Sequence, residues 1–339
     1  MSSVAIVGAT GAVGREIMKI LETRKFPLTN LKLLASRNSA GKEIWFKNQN
    51  VQVEELGESS FHGVDIALFS AGGSISKKYA PIAVTSGAKV IDNSSAFRMN
   101  PEVPLVIPEI NSNAIFRADS GIIANPNCST IIMNLAIAPL YKKYGVERVV
   151  VSTYQAASGA GAAAMNELEQ QCRDWCLGVP IIQEIFKRQY IWNLFSHNSP
   201  IDDVSGYNEE EIKMVNETKK IFADPKIGVT ATCVRVPVLR AHCESINVTL
   251  RKPYESINEI RNLISDFPGL TIKDDREANE HPEPLMASGQ DDCYVGRLRA
   301  DISQPERGIE MFVAGDQIRK GAALNAVQIA ETLLGANCN

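Results

Sequence analysis

The sequence predicts an α/β fold in two parts: a domain built on a parallel sheet, then an α+β domain with a mostly antiparallel sheet. Three observations predict it. The chain has 339 residues, more than the roughly 250–300 at which a single core stops growing. Its first 125 residues alternate short apolar runs with helix-spaced segments, the signature of parallel strands joined by right-handed crossovers. The second half instead carries longer strand-like runs separated by polar insertions.

In order along the chain, Val4–Gly8 is the first strand, and residues 12–23 form a helix with apolar positions at 13, 17, 20 and 21. Residues 31–35 form the second strand, and residues 43–55 form strands around a turn at Asn48–Asn50. Val64–Ser70 and residues 89–92 are buried strands flanking a helix at Ser76–Ser86, and Gly121–Asn125 closes the series. Beyond it, residues 147–154, 230–238, 242–251 and 308–313 read as strands. Gly161–Trp175, Asn208–Phe222, Tyr254–Phe267 and Gly321–Leu334 read as helices, and Lys273–Ser288 as a charged, proline-bearing loop.

Composition narrows the function. Thirty-five basic and thirty-nine acidic residues leave a net charge of −4, and aromatics are 6%. A nucleic-acid partner, which wants a basic face and stacking platforms, is not expected. No apolar run reaches the roughly 18 residues of a membrane span. The first residues lack a charged leader region and enter a glycine motif at once, so a cytoplasmic protein is expected. The seven cysteines (128, 172, 176, 233, 243, 293 and 338) are scattered and odd in number, unlike a disulfide framework. Cys172 and Cys176 have no further ligands nearby, so no metal site is expected.

Gly8, Thr10, Gly11, Ala12, Val13 and Gly14 run from the end of the first strand into the first turn of the first helix. Glycines there allow a tight turn and let backbone N–H groups approach a pyrophosphate at a helix N-terminus. A plain glycine turn is the alternative, and the strand-to-helix context favours the cradle. The expected domain is therefore a Rossmann-type dinucleotide-binding domain over residues 1–127, with the C-terminal helix, residues 318–339, packing back onto it. At the end of the second strand, Ser36, Arg37 and Ser39 supply a cation and hydroxyls but no acid. That favours a 2′-phosphate, hence NADP(H), over a solvated turn.

Cys128 follows the GIIAN strand in Asn125-Pro126-Asn127-Cys128-Ser129-Thr130 and opens an apolar stretch. A thiol at a helix N-terminus is favoured as thiolate, and Ser129 or Thr130 is a candidate cap. Most cysteines are simply core residues; pairing with a dinucleotide domain favours a nucleophile for acyl-enzyme chemistry.

GATGAVG, SSAFR (residues 94–98), NPNCST (125–130), STYQAASGAG (152–161), CVRVPVLRAH (233–242) and GDQIRKGAALNAVQIAE (315–331) occur in this order. Together they resemble the aspartate-β-semialdehyde dehydrogenase family over essentially the whole chain, with ETKKI (217–221) similar to its bacterial members. The resemblance implies NADPH-dependent reductive dephosphorylation of L-4-aspartyl phosphate to the semialdehyde, on the route to lysine, threonine, methionine and diaminopimelate. It implies a homodimer whose catalytic and dimerisation domain is residues 128–317. It also implies Cys128 as nucleophile, His242 as acid/base and Gln155 as the residue orienting the substrate. Arg235 and Glu210 would hold the substrate carboxylate and amine, and Arg98 and Lys213 the phosphate. Ser158, Gly159 and Gln317 would lie on the nicotinamide side.

Further readings follow from residue chemistry. An imidazole titrates near neutral pH, which suits acid/base work at His242. The Gln155 amide can donate to a reacting carbonyl oxygen. Arg235 and His242 are seven apart, on opposite faces of one continuous strand, so a turn or bulge between them, suggested by Pro237 and the polar Arg240–Ala241 step, is expected to bring them together. Competing readings are another acyl-phosphate reductase on the same frame, a glyceraldehyde-phosphate-type enzyme and a non-catalytic paralogue. Retention of Cys128, Gln155, Arg235 and His242 together argues against the last.

Overall fold

The computed structural model describes residues 2–335. They divide into two compact units: the residues up to Asn127 with those from Ala322 on, and Cys128–Gly321.

The first unit is a seven-stranded sheet in the order β3-β4-β2-β1-β5-β6-β7. Its strands are β1 (Ser2–Val7), β2 (Leu28–Ala35), β3 (Glu43–Phe46), β4 (Gln49–Glu55), β5 (Ile66–Phe69), β6 (Lys89–Asp92) and β7 (Ile122–Ala124). Every pairing is parallel except β3–β4. That hairpin turns at Lys47–Asn48, both with positive φ, as a two-residue loop requires. The turn expected at Asn48–Asn50 is therefore shifted, and Asn50 is in the strand. Helix α1 (Ala12–Thr23) has the expected bounds, and α2 spans Gly73–Thr85, with a short α3 at Pro108–Asn111. The central strand β1 is buried throughout, as expected for a parallel strand covered on both faces.

The C-terminal helix, Leu324–Leu333, belongs to this unit. Leu324, Val327 and Ile329 join Ile17, Leu21 and Leu33 in one apolar core. Arg24 clasps Glu331 through two bonds of 2.8 Å. Asn325 Nδ2 donates to Val106 O and Asn125 Oδ1. The helix begins three residues later than its apolar pattern suggests, because Arg319–Ala323 forms a wider π turn. The last residues of the expected 318–339 segment, from 336 on, lie outside the described residues.

The second unit carries the other seven-stranded sheet, in the order β12-β13-β14-β11-β8-β10-β9. It opens with α4 (Cys128–Tyr144), β8 (Val146–Gln155), α5 (Ala162–Leu177), β9 (Phe195–Ser196), α6 (Glu209–Ile221), β10 (Gly228–Arg235) and β11 (His242–Leu250). It continues with α7 (Ile257–Ser265), β12 (Leu270–Ile272), α8 (Pro284–Ala287), β13 (Cys293–Ala300) and β14 (Gly308–Gly315). Four of its six pairings are antiparallel. Thirteen consecutive or near-consecutive residues of α4 are buried, the pattern of a core helix apolar on all sides. The region expected to be a loop, residues 273–288, contains α8. Strand β13 was not legible, since Arg297 and Arg299 interrupt its apolar pattern and a register shift falls beside them.

Candidate active site

Three strand ends meet in the second unit. Register pairs Arg235 of β10 with Gln155 of β8. Cys243 pairs with Tyr154, which sets His242 opposite Gln155 on the other side. Arg235, Gln155 and His242 thus form one row across neighbouring strands, about 4.8 Å per step, and all three are buried. Arg235 and His242 meet through a turn, one of the two expected routes, and not through a bulge. They lie on two strands, β10 and β11, and the chain turns between them with Ala241 at φ 72°.

Both side chains are anchored on Ala156. Arg235 Nη1 donates to its carbonyl at 3.1 Å, and its N–H donates to His242 Nδ1 at 3.0 Å. An acceptor at Nδ1 places the imidazole hydrogen on Nε2, and Nε2 is buried with no partner among the described residues. Complete burial, then the Arg235 charge, push the His242 pKa down to about 3. The sequence reading expected an imidazole titrating near neutral pH. The structure corrects it: His242 is a neutral donor there. Gly159 lies over both groups, since a Cβ on it would come within 3.1 Å of Arg235 Nη1 and His242 Nε2.

Cys128 is the first residue of α4, so its thiol sits on the positive end of a 17-residue helix, a thiolate-favouring position. Gly321 packs against it; a Cβ there would be 2.9 Å from Cys128 Cβ. Gln317 Nε2 bonds Ser158 Oγ, and Gln317 Oε1 accepts from Ala241 N–H at 2.9 Å. Ser129 makes no side-chain cap to the helix; its hydroxyl accepts from Gln155 Nε2 at 2.7 Å. Gln155 Nε2 also donates to Glu210 Oε1 at 3.1 Å. Both amide hydrogens are therefore engaged, and Oε1 is buried without a partner among the described residues. The amide does not present its N–H to a reacting carbonyl, as the sequence reading expected; it presents an acceptor. Buried Glu210 and half-buried Lys213, one helical turn apart on α6, pair at 3.4 Å.

Two residues went unseen in the sequence. His197 Nε2 meets Arg235 Nη2 at 2.8 Å, and Asn198 Oδ1 accepts from Arg235 Nε at 3.3 Å. They follow β9, in a segment without periodicity whose order comes from α5. Glu167 accepts from the N–H groups of Glu184, Ile185 and Phe186, and Gln171 from those of Tyr190 and Ile191. Only a histidine near a polar turn was available as a signal.

The first unit holds the glycine motif and Arg98. Gly8 has φ +88°, and a Cβ there would lie 2.9 Å from Ser70 O. A Cβ on Gly14 would overlap the Gly8 carbonyl, so this glycine sets the close packing of helix on strand. Gly11 stands at the N-cap of α1 with no side-chain cap, leaving the first-turn N–H groups without helical partners. Thr10 Oγ1 reaches Ser39 Oγ at 3.5 Å. Ser36 and Arg37 are exposed beside it. Ala12 and Val13 form the first turn itself. These residues fit a dinucleotide: a glycine cradle closed to side chains, with an exposed cation next to it. Arg98 is buried, its Nε on Asn125 O at 2.9 Å and its Nη2 on Asn93 O at 2.8 Å. Its loop is held by Ser94, which bonds Asp92 through both N–H and hydroxyl.

Among the described cysteines none is in a disulfide. No helix among the described residues is long and apolar enough to cross a membrane.

Comparison with known proteins agrees with this architecture. Residues 3–118 match the family model described as semialdehyde dehydrogenase, NAD binding domain, and residues 137–320 the one described as semialdehyde dehydrogenase, dimerisation domain. Aspartate-semialdehyde dehydrogenase of Synechocystis sp. is 53% identical over 98% of this chain and 97% of its own. That of Prochlorococcus marinus is 50% identical over 98% and 96%. The crystal structure of aspartate semialdehyde dehydrogenase II of Vibrio cholerae complexed with ASA superposes with a TM-score of 0.95 at 44% identity, covering 99% of this chain and 98% of that one. With both family models matched in order and relatives this similar along the whole length, the chain belongs to the aspartate-semialdehyde dehydrogenase family.

Proposed function

We propose that the chain reduces L-4-aspartyl phosphate to L-aspartate 4-semialdehyde and phosphate with NADPH, through a thioester on Cys128. The observation that carries this reading is one buried, hydrogen-bonded cluster of a cation, Arg235, a carboxylate, Glu210, and a neutral imidazole donor, His242. A small substrate with a free amine, a free carboxylate and a reacting carbonyl needs those three groups.

Cys128 thiolate attacks the acyl carbon, the carbon–oxygen bond to phosphate breaks, and phosphate leaves; the family resemblance assigns Arg98 and Lys213 to that group. Arg235 receives the substrate carboxylate with a planar pair of N–H groups, which Lys cannot present. Glu210 and Gln155 Oε1 accept from the ammonium group. His242 Nε2–H donates to the carbonyl oxygen as negative charge develops there, in a buried site where a fixed donor is worth most. A neutral imidazole serves as electrophile in this role. Gly8, Thr10, Gly11, Ala12, Val13, Ser36, Arg37 and Ser39 would hold the cofactor, with Ser158, Gly159 and Gln317 on its nicotinamide side. When bound, the cofactor supplies the hydride that reduces the thioester carbon. The resulting oxyanion, held by His242, re-forms the carbonyl and expels Cys128 as thiolate, so no separate proton is required.

The reading includes a homodimer. The sheet of the second unit is covered on one face by α4, while Tyr154, Thr232 and Phe312 remain exposed or half-buried on the other. A half-covered antiparallel face suits docking of a second copy. The proposed compartment is the cytoplasm, and the proposed pathway is lysine, threonine, methionine and diaminopimelate synthesis.

The test is the reverse reaction: NADPH formation from L-aspartate 4-semialdehyde and NADP, with and without phosphate. The reading expects phosphate-dependent turnover. No turnover on this substrate, with turnover on N-acetylglutamate semialdehyde, overturns it.

A further inference from the structure

We propose that His197 and Ser199 form a positioning couple that ties Arg235 to Glu210, setting the spacing between the two groups that grip the ends of the substrate's amino-acid head. This inference rests on the reaction proposed above and adds residues to its binding site.

An arginine only donates. Because Arg235 Nη2 stands 2.8 Å from His197 Nε2, that nitrogen must be the acceptor, and Nδ1 carries the hydrogen. Nδ1–H then donates to Ser199 Oγ at 3.1 Å. The Ser199 N–H lies 3.2 Å from the same Nδ1, but two donors cannot bond each other, so the hydroxyl oxygen is the partner. The same Ser199 Oγ accepts from Glu210 N–H at 3.2 Å, in the first turn of α6. A continuous chain of bonds therefore runs from the Arg235 guanidinium through His197 and Ser199 to the backbone of Glu210. On the far side, Glu210 is bonded to Gln155, and Arg235 to Ala156 O, the next residue in sequence. The loop of contacts closes.

The arrangement leaves Arg235 ready for one kind of ligand. Its five N–H groups are engaged once at Nε, once at Nη1 and once at Nη2. One N–H remains on each terminal nitrogen, the number a bidentate carboxylate takes. Phe186 underlies the guanidinium, with its ring centroid 5.7 Å away. Protonated His197 would turn an N–H toward the guanidinium. Burial, then the Arg235 charge, hold its pKa down to about 4, so the couple keeps its neutral form at physiological pH. Glu210 and Lys213 also face this ring, with opposite and smaller effects.

The test compares His197→Ala, His197→Gln and Ser199→Ala with wild type in the semialdehyde oxidation assay, each checked by thermal melting. Loss of one buried partner is expected to raise KM for the semialdehyde about tenfold or more in His197→Ala. The kcat and the KM for NADP are expected to change less than about threefold. Glutamine, whose side-chain carbonyl can accept from Arg235, restores most of the loss, and Ser199→Ala falls between. A merely structural role moves all parameters together and gives no glutamine rescue. Wild type inert on this substrate removes the reaction reading and this inference with it. Active wild type with an unchanged semialdehyde KM in both folded His197→Ala and Ser199→Ala, or equal rises for both substrates, overturns the couple alone.

Discussion

The Ala156 N–H donates to His242 Nδ1 at 3.0 Å, and that bond decides what the imidazole can do. It keeps Nδ1 as an acceptor, leaves the hydrogen on Nε2 and opposes the imidazolium. With its pKa pushed down to about 3, His242 stays neutral throughout the working range. The kcat profile of the wild type is expected to show no ionisation near pH 6.5 that belongs to this residue. His242→Phe is expected to lower kcat by about 10²–10³ at every pH, the usual cost of an oxyanion donor. An acid limb near pH 6.5 that disappears in His242→Phe would show an acid/base instead.

Gly159 lies against that donor. A methyl group there would press on Arg235 Nη1 and His242 Nε2 at 3.1 Å. Gly159→Ala is expected to lower kcat/KM for the semialdehyde about tenfold or more, with melting temperature little changed. Unaltered kinetics in a folded variant would place the substrate elsewhere.

These distances also show what the sequence could and could not reveal. The α1 bounds, the glycine cradle and Cys128 at the head of α4 were legible because each depends on local chain signals. The turn that brings Arg235 and His242 together was foreseen but not the row they form with Gln155, since strand register is set between segments eighty or more residues apart. His197 and Asn198 lay hidden because nothing periodic marks residues 180–199. Side chains of α5 rather than a ladder fix that segment, through Glu167 and Gln171. Which atoms of Gln155 and His242 remain unpartnered is likewise a property of packing, not of residue type.

Arg37 is exposed beside the cradle and makes no hydrogen bond or ion pair among the described residues. Arg37→Ala is expected to raise KM for NADPH about tenfold, the scale of one lost charge-assisted contact. The KM for the acyl substrate should hold. Equal effects on both would remove Arg37 from the 2′-phosphate.

Glu244 lies two residues below His242 on the same strand face. It is fully buried, and neither carboxylate oxygen has a partner among the described residues. Burial raises its pKa well above the ordinary value. A carboxyl whose folded pKa is raised stabilises the fold below its unfolded pKa, and that contribution is lost as pH rises. Glu244→Gln is therefore expected to melt higher than wild type at pH 8, by about 2–4 °C per kcal/mol recovered, and to differ little at pH 4. His197 and His242 work in the opposite direction. Their folded pKa values lie below the unfolded value near 6.5, so stability falls as pH drops from about 6.5 toward 3. A Glu244→Gln gain that is the same at both pH values would contradict the buried neutral carboxyl.

In the proposed reaction Cys128 carries the acyl group. Intact-protein mass spectrometry after mixing with L-4-aspartyl phosphate, with no NADPH present, tests it directly. One added aspartyl group per chain is expected, mapped to the Cys128 peptide and absent in Cys128→Ala. No adduct on wild type that turns over the substrate, or an adduct that persists in Cys128→Ala, would contradict it.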